Sequence, residues 1–140
     1  MRPSIILDTG PLVAAINHQD AYYDWVMEQF KTLPYPLFTC EAVITEAGFL
    51  LRRRTGNIDA IFKLRQRGLI TVPFHFDDEH ERIEKLVAKY ANVPMSFADA
   101  CLVRMSEQYS NGVILTLDSD FRIYRKFGNQ IIPVIMPGIQ

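Results

Sequence analysis

Short, nearly unbroken apolar runs alternate along this chain with longer stretches whose apolar residues recur every three or four positions. Ser4-Ile-Ile-Leu-Asp8 reads as a short buried strand. Thr9-Gly10-Pro11 then opens a helix, because proline suits the first helical position. That helix carries Leu12, Val13, Ala15 and Ile16 and stops near Asn17-His18. A second helix over 20–31 sets Tyr22, Trp25, Val26 and Phe30 on one side, and Leu33-Pro-Tyr-Pro36 breaks it. Leu37-Phe38-Thr39 is a strand, and Thr39 is placed to cap a helix over 40–53. Helices over 58–67, 77–90 and 97–109 follow, with strands over 69–72, 113–117 and 130–135 and a short helical turn starting at Asp118.

The strands are rich in Ile, Leu and Val with little polar alternation, which fits a parallel sheet covered on both faces. The expectation is one α/β domain over 1–140, with a central, mostly parallel sheet of about five strands and helices on both faces. No repeat, linker or low-complexity segment divides it. The 49% hydrophobic content is enough for a sizeable core. Fifteen basic residues against 16 acidic ones leave a net charge of −1, so any basic surface must be local. No apolar stretch approaches the ~18 residues a membrane span needs, and no signal-peptide pattern is visible. Together with two cysteines, Cys40 and Cys101, far apart and outside any C-x-x-C, this reads as a soluble cytoplasmic chain with reduced core thiols.

Against this background four carboxylates stand out, each inside an otherwise apolar segment: Asp8, Glu46, Asp99 and Asp118. Each has an ordinary reading. Asp8 can cap the helix that follows its strand. Glu46 has Ala42, Val43, Phe49 and Leu50 as helical neighbours, so it sits on an apolar stripe, where an arginine of Arg52-Arg53-Arg54 could pair with it. Ser96-x-x-Asp99 matches a capping box with a short acid. Asp118 and Asp120 can cap the short helix at 119–124. Taken together, the four ask for a common explanation, because burying a carboxylate is costly without a partner. Acids at strand ends and helix starts can meet at one edge of a parallel sheet, where open α/β sheets bind ligands. Their mutual repulsion is relieved by a hard cation such as Mg²⁺, which prefers oxygen ligands.

The motifs Ile6-Leu-Asp8-Thr-Gly-Pro-Leu-Val-Ala14, Ile44-Thr-Glu46-Ala-Gly-Phe-Leu-Leu51, Met95-Ser-Phe-Ala-Asp99-Ala-Cys-Leu-Val103 and Ile114-Leu-Thr-Leu-Asp118-Ser-Asp-Phe121 occur in that order over nearly the whole length. In this the chain resembles the PIN-domain ribonucleases, particularly the VapC-like toxins of toxin–antitoxin pairs. The resemblance implies a PIN-like fold and a metal-dependent endoribonuclease. It implies Asp8, Glu46, Asp99 and Asp118 as the acidic site for Mg²⁺ or Mn²⁺, Thr9 and Thr116 as supporting hydroxyls, and Asp120 as a peripheral acid. It also implies a small antitoxin that enters the site, a homodimer, and RNA products with a 5′-phosphate and a 3′-hydroxyl.

RNA drawn to an acidic site needs local cations. Arg52, Arg53 and Arg54 end the Glu46 helix, with Lys63, Arg65 and Arg67 close behind. Arg104 lies five residues beyond Asp99, and Arg122, Arg125 and Lys126 follow Asp118. The ordinary reading of these groups is a solvated set balancing the acids. His18, His75 and His80 lie outside all four motifs and read as surface residues, and Tyr22, Trp25 and Phe30 read as core. Two other function classes stand beside the nuclease. One is a PIN-like module that binds RNA or protein without cutting. The other is a metal-dependent phosphatase of the haloacid dehalogenase type, which wants a second aspartate at position 10, where this chain has Gly10.

Overall fold

A computed structural model describes residues 2–138 of the chain. Strand β1 (Ser4–Leu7) leads into helices α1 (Thr9–Ile16) and α2 (Tyr23–Phe30), and β2 (Leu37–Phe38) into α3 (Glu41–Arg54) and α4 (Asp59–Gln66). Then come β3 (Ile70–Thr71), α5 (Phe76–Lys89), α6 (Phe97–Gln108) and β4 (Gly112–Leu115). A 3₁₀ turn (Ser119–Arg122), β5 (Arg125–Lys126), β6 (Gln130–Ile131) and β7 (Val134–Ile135) complete the order. The main sheet runs β3-β2-β1-β4-β7, with every neighbour pair parallel.

From β1 the chain steps outward through β2 to β3, then crosses back to β4 and on to β7. Parallel crossovers are right-handed. The two directions of travel therefore put α1–α4 on one face of the sheet and α5–α6 on the other, as the continuous apolar strands require. Ile5, Ile6 and Leu7 are all buried although they point alternately to opposite faces, and Ile114 and Leu115 repeat this on β4. Burying each such side chain contributes about 1.5–3 kcal/mol.

Several element ends follow from local chemistry. Asp20 Oδ1 accepts from the Tyr22 amide at 2.9 Å, and this turn delays α2 to Tyr23 rather than the expected residue 20. Thr39 does not cap α3: Cys40 holds that position, and the Thr39 hydroxyl donates to the Leu7 carbonyl at 2.8 Å, tying β2 to β1. The expected strand over 130–135 is two strands. Gln130–Ile131 pairs antiparallel with Arg125–Lys126, while Val134–Ile135 joins the main sheet. Pro133 separates them, since it has no amide to give either ladder, although its carbonyl accepts from Ile114 at 2.9 Å. Cys40 and Cys101 are buried free thiols, and Trp25 and Phe30 pack against the core while Tyr22 is exposed. Among the described residues no helix is long and apolar enough to cross a membrane.

Candidate active site

Strands β1 and β4 lie side by side, and the chain leaves them in opposite directions. That is the switch point of the sheet, where a crevice opens beyond the carboxyl ends of the strands. Asp8 is the first residue after β1, its amide extending the ladder to the Leu115 carbonyl at 3.0 Å. Its Oδ1 accepts from the Thr9 amide at 2.7 Å, so Asp8 does cap α1. Its Oδ2 accepts from the Thr116 hydroxyl at 2.6 Å. The same Thr116 oxygen accepts from the Asp118 amide at 2.9 Å. One buried hydroxyl thus fixes both the Asp8 carboxylate and the loop that carries Asp118.

Asp99 arrives from the other side of the crevice, on the first turn of α6. Its amide donates to Ser96 Oγ at 3.0 Å, and its Oδ2 accepts from the Ser96 amide at 3.3 Å, a complete capping box. The Tyr124 hydroxyl donates to the same Oδ2 at 3.0 Å. Asp118 is half-buried, with Oδ1 accepting from the Asp120 amide at 2.9 Å. The ordinary readings of Asp8, Asp99 and Asp118 as caps are therefore correct, and they are the means by which each carboxylate is held in place.

Glu46 reaches the crevice from the middle of α3. Its apolar neighbours do not bury it, contrary to the sequence reading: Glu46 is exposed, because Phe49 is itself open to solvent. It makes no ion pair with Arg52, Arg53 or Arg54 among the described residues. Arg53 lies over the Phe49 ring and Arg54 approaches Asp20 at 4.0 Å. Asp8, Thr9, Gly10, Glu46, Asp99 and Asp118 line one cleft of about 440 Å³. Gly10 lets its walls close, since a Cβ there would stand 3.2 Å from Leu117 Cδ1.

The electrostatics carry the mark of crowded acids. Burial pushes the Asp8 carboxyl up to about 6; the bonds from Thr116 and Thr9 pull it down, and Asp99 and Asp118 push it up again. Asp99 is raised too, chiefly by burial, against the pull of Tyr124. Burial and the neighbouring Asp99 charge raise the Tyr124 phenol, which stays a donor.

The donor set fits a hard divalent cation. Every candidate ligand is an oxygen, and the charge that crowding disfavours is what a cation would balance. The Thr9 hydroxyl is buried at the cleft with no hydrogen-bond partner. Among the described residues no three acid, histidine or cysteine side chains form a closed cage. Mg²⁺ does not need one, since it keeps several of its waters.

The remaining predicted residues divide. Asp120 is half-buried outside the cleft lining and acts on Tyr124, adding to the charge that keeps the phenol protonated. Arg104 is not a free cation as the sequence reading had it: its guanidinium is clamped between Glu79 and Glu107, the latter at 3.2 Å, with little exposure. Arg52, Arg53, Arg54 and Arg122 are exposed, the first three also suiting the negative end of α3. His18, His75 and His80 are exposed and line no part of the cleft. Tyr124 was missed. Its only signal in sequence is its place three residues after Phe121, which makes both rings core residues of one short turn.

This sheet order with acids at its switch point defines a class: the chain belongs to the PIN domain family, whose model matches residues 5–126. Among solved structures it is similar to VapC20 of Mycobacterium tuberculosis, a sarcin-ricin loop cleaving toxin, at 24% identity and a TM-score of 0.76, covering 84% of this chain and 92% of that one. No curated protein matches the chain by sequence.

Proposed function

We propose that the protein is a metal-dependent endoribonuclease of the VapC-like type, acting through the cleft at the switch point. The observation that carries this is the meeting of Asp8, Glu46, Asp99 and Asp118, from four separate segments, in one cleft where the Asp8 carboxyl is held near 6. Asp8, Asp99 and Asp118 would hold Mg²⁺ or Mn²⁺, and Thr116 orients two of them through its shared hydroxyl. When bound, such a cation lowers the pKa of a water and stabilises charge on phosphate oxygens. Exposed Glu46 would orient the attacking water or help hold a second ion. Thr9, with its free hydroxyl, would take a hydrogen bond from that water or donate one to a phosphate oxygen. Tyr124 and Ser96 keep one Asp99 oxygen engaged, leaving the other free of any recorded protein donor.

The exposed arginines would supply the attraction for an RNA backbone that the acids lack. Arg52 lies six residues past Glu46 on the same helix, about 9 Å along its axis. The family likeness extends the proposal to a small antitoxin as partner and to a homodimer. Cleavage of total RNA with Mg²⁺ or Mn²⁺ is the test. Asp99→Asn or EDTA is expected to cut the rate by about 100-fold or more. Tight RNA binding without metal-dependent cleavage by the wild type would replace the enzyme with a binding scaffold.

A further inference from the structure

Beside the acid cleft lies a second, apolar depression of about 620 Å³, lined by Ala42, Thr45, Phe49, Ser96, Phe97 and Ala98 together with Glu41 and Glu46. Glu46 belongs to both. Its two rings are open to solvent, Phe49 at 58% and Phe97 at 50% exposure. Each is tied to a carboxylate of the cleft. Phe49 is three residues after Glu46, one turn along the same face of α3. Phe97 opens α6 two residues before Asp99.

Neither ring is loose. Phe76 packs edge-on against Phe97, with centroids 5.4 Å apart and planes at 63°. The Arg53 guanidinium lies over the Phe49 ring, 5.5 Å from its centroid. The occupant this pocket suits is flat and apolar on its faces, yet attached to something anionic that Arg53 and its neighbours attract and that reaches the acids next door.

We propose that Phe97 and Phe49 form a stacking subsite for an unpaired nucleobase flanking the scissile phosphate. The proposal rests on the nuclease reading above and adds to it a substrate class: RNA that is single-stranded where it is cut. A base inside an A-form helix is stacked on both faces and cannot offer one to a ring; an unpaired base can. Base–aromatic stacking tolerates any base, so this subsite selects for strandedness rather than sequence.

The test separates binding from cleavage. In the Asp99→Asn background with Mg²⁺, affinity is measured for a short mixed-sequence oligoribonucleotide, alone and annealed to its complement. The single strand is expected to bind more tightly than the duplex. Phe97→Leu and Phe49→Leu are each expected to weaken single-strand binding about 10-fold and leave the duplex unchanged, while Phe97→Tyr retains binding. Both positions are exposed, so leucine is not expected to disturb folding.

Equal affinities of the Leu variants and the parent for the single strand overturn the subsite. So does a change in oligomeric state confined to those variants, which would mark the face as a contact between copies. Metal-dependent cleavage on the otherwise wild-type chain keeps the two readings apart. If Phe97→Leu cuts single-stranded RNA with unchanged kcat/KM, the subsite fails and the nuclease stands. If the wild type does not cut but the rings still govern single-strand binding, the subsite stands without the enzyme.

Discussion

At the scale of single residues, the site is made of groups that hold the backbone and face the cleft at once. Asp8 is the sharpest case, because its carboxyl titrates near 6 in the folded chain and near 3.8 when unfolded. Between those values the folded protein keeps a proton that the unfolded chain has released. Stability of the metal-free protein therefore falls as pH rises through that window, and the cost is fully present above about 6, amounting to roughly 2–3 kcal/mol. Asp8→Asn removes the charge and can still accept the Thr9 amide. The variant is expected to melt above the wild type at about pH 7.5 without metal, with the gap closing towards about pH 4. Thermal unfolding of both chains across pH, with chelator, checks this. A gap that does not change with pH would show that the Asp8 charge is already balanced.

At the scale of elements, the capping box on α6 joins folding to the site. Ser96→Ala leaves the Asp99 amide without its acceptor and is expected to lower stability by about 1 kcal/mol. It also frees the Asp99 side chain to move, so cleavage should fall more than stability does. Comparing melting with activity well below the transition checks that ordering. Long elements were legible in sequence for the same reason that they are stable. Helices α3, α5 and α6 each have enough turns to display a period, and β1 and β4 are apolar throughout. The β5–β6 hairpin was not legible: two residues on each side, Arg125–Lys126 and Gln130–Ile131, display no period at all. The four acids were legible because each interrupts an apolar run. The exposure of Glu46 was not, since helical spacing says which residues share a face and not whether that face is covered. Nor was the capture of Arg104, whose partner Glu79 lies 25 residues earlier on another helix.

At the scale of the whole molecule, a net charge of −1 means that no broad field draws RNA in. Attraction must come from the few exposed arginines at the end of α3 and on the turn after Asp118. Binding of single-stranded RNA should therefore weaken only gently with salt. The expected slope of log affinity against log salt is about −2 to −3, at roughly −0.7 for each phosphate neutralised. Replacing Arg52 and Arg53 with glutamine should flatten it by about 1. Titrations at several salt concentrations measure both slopes, and a slope much steeper than this would point to a larger basic surface contributed by a second chain.

The double duty of Asp8 and Asp99 as caps has one more consequence. An amide in place of either carboxyl oxygen leaves an acceptor for each backbone amide now bound and takes away only the ionisation. Outline and chemistry are thus carried by different atoms of the same side chain. A copy silenced at these positions would keep the outline of the active one and, without metal, outlast it on heating. Neither a binding partner that reads shape nor a reagent raised against the folded surface would tell the two apart.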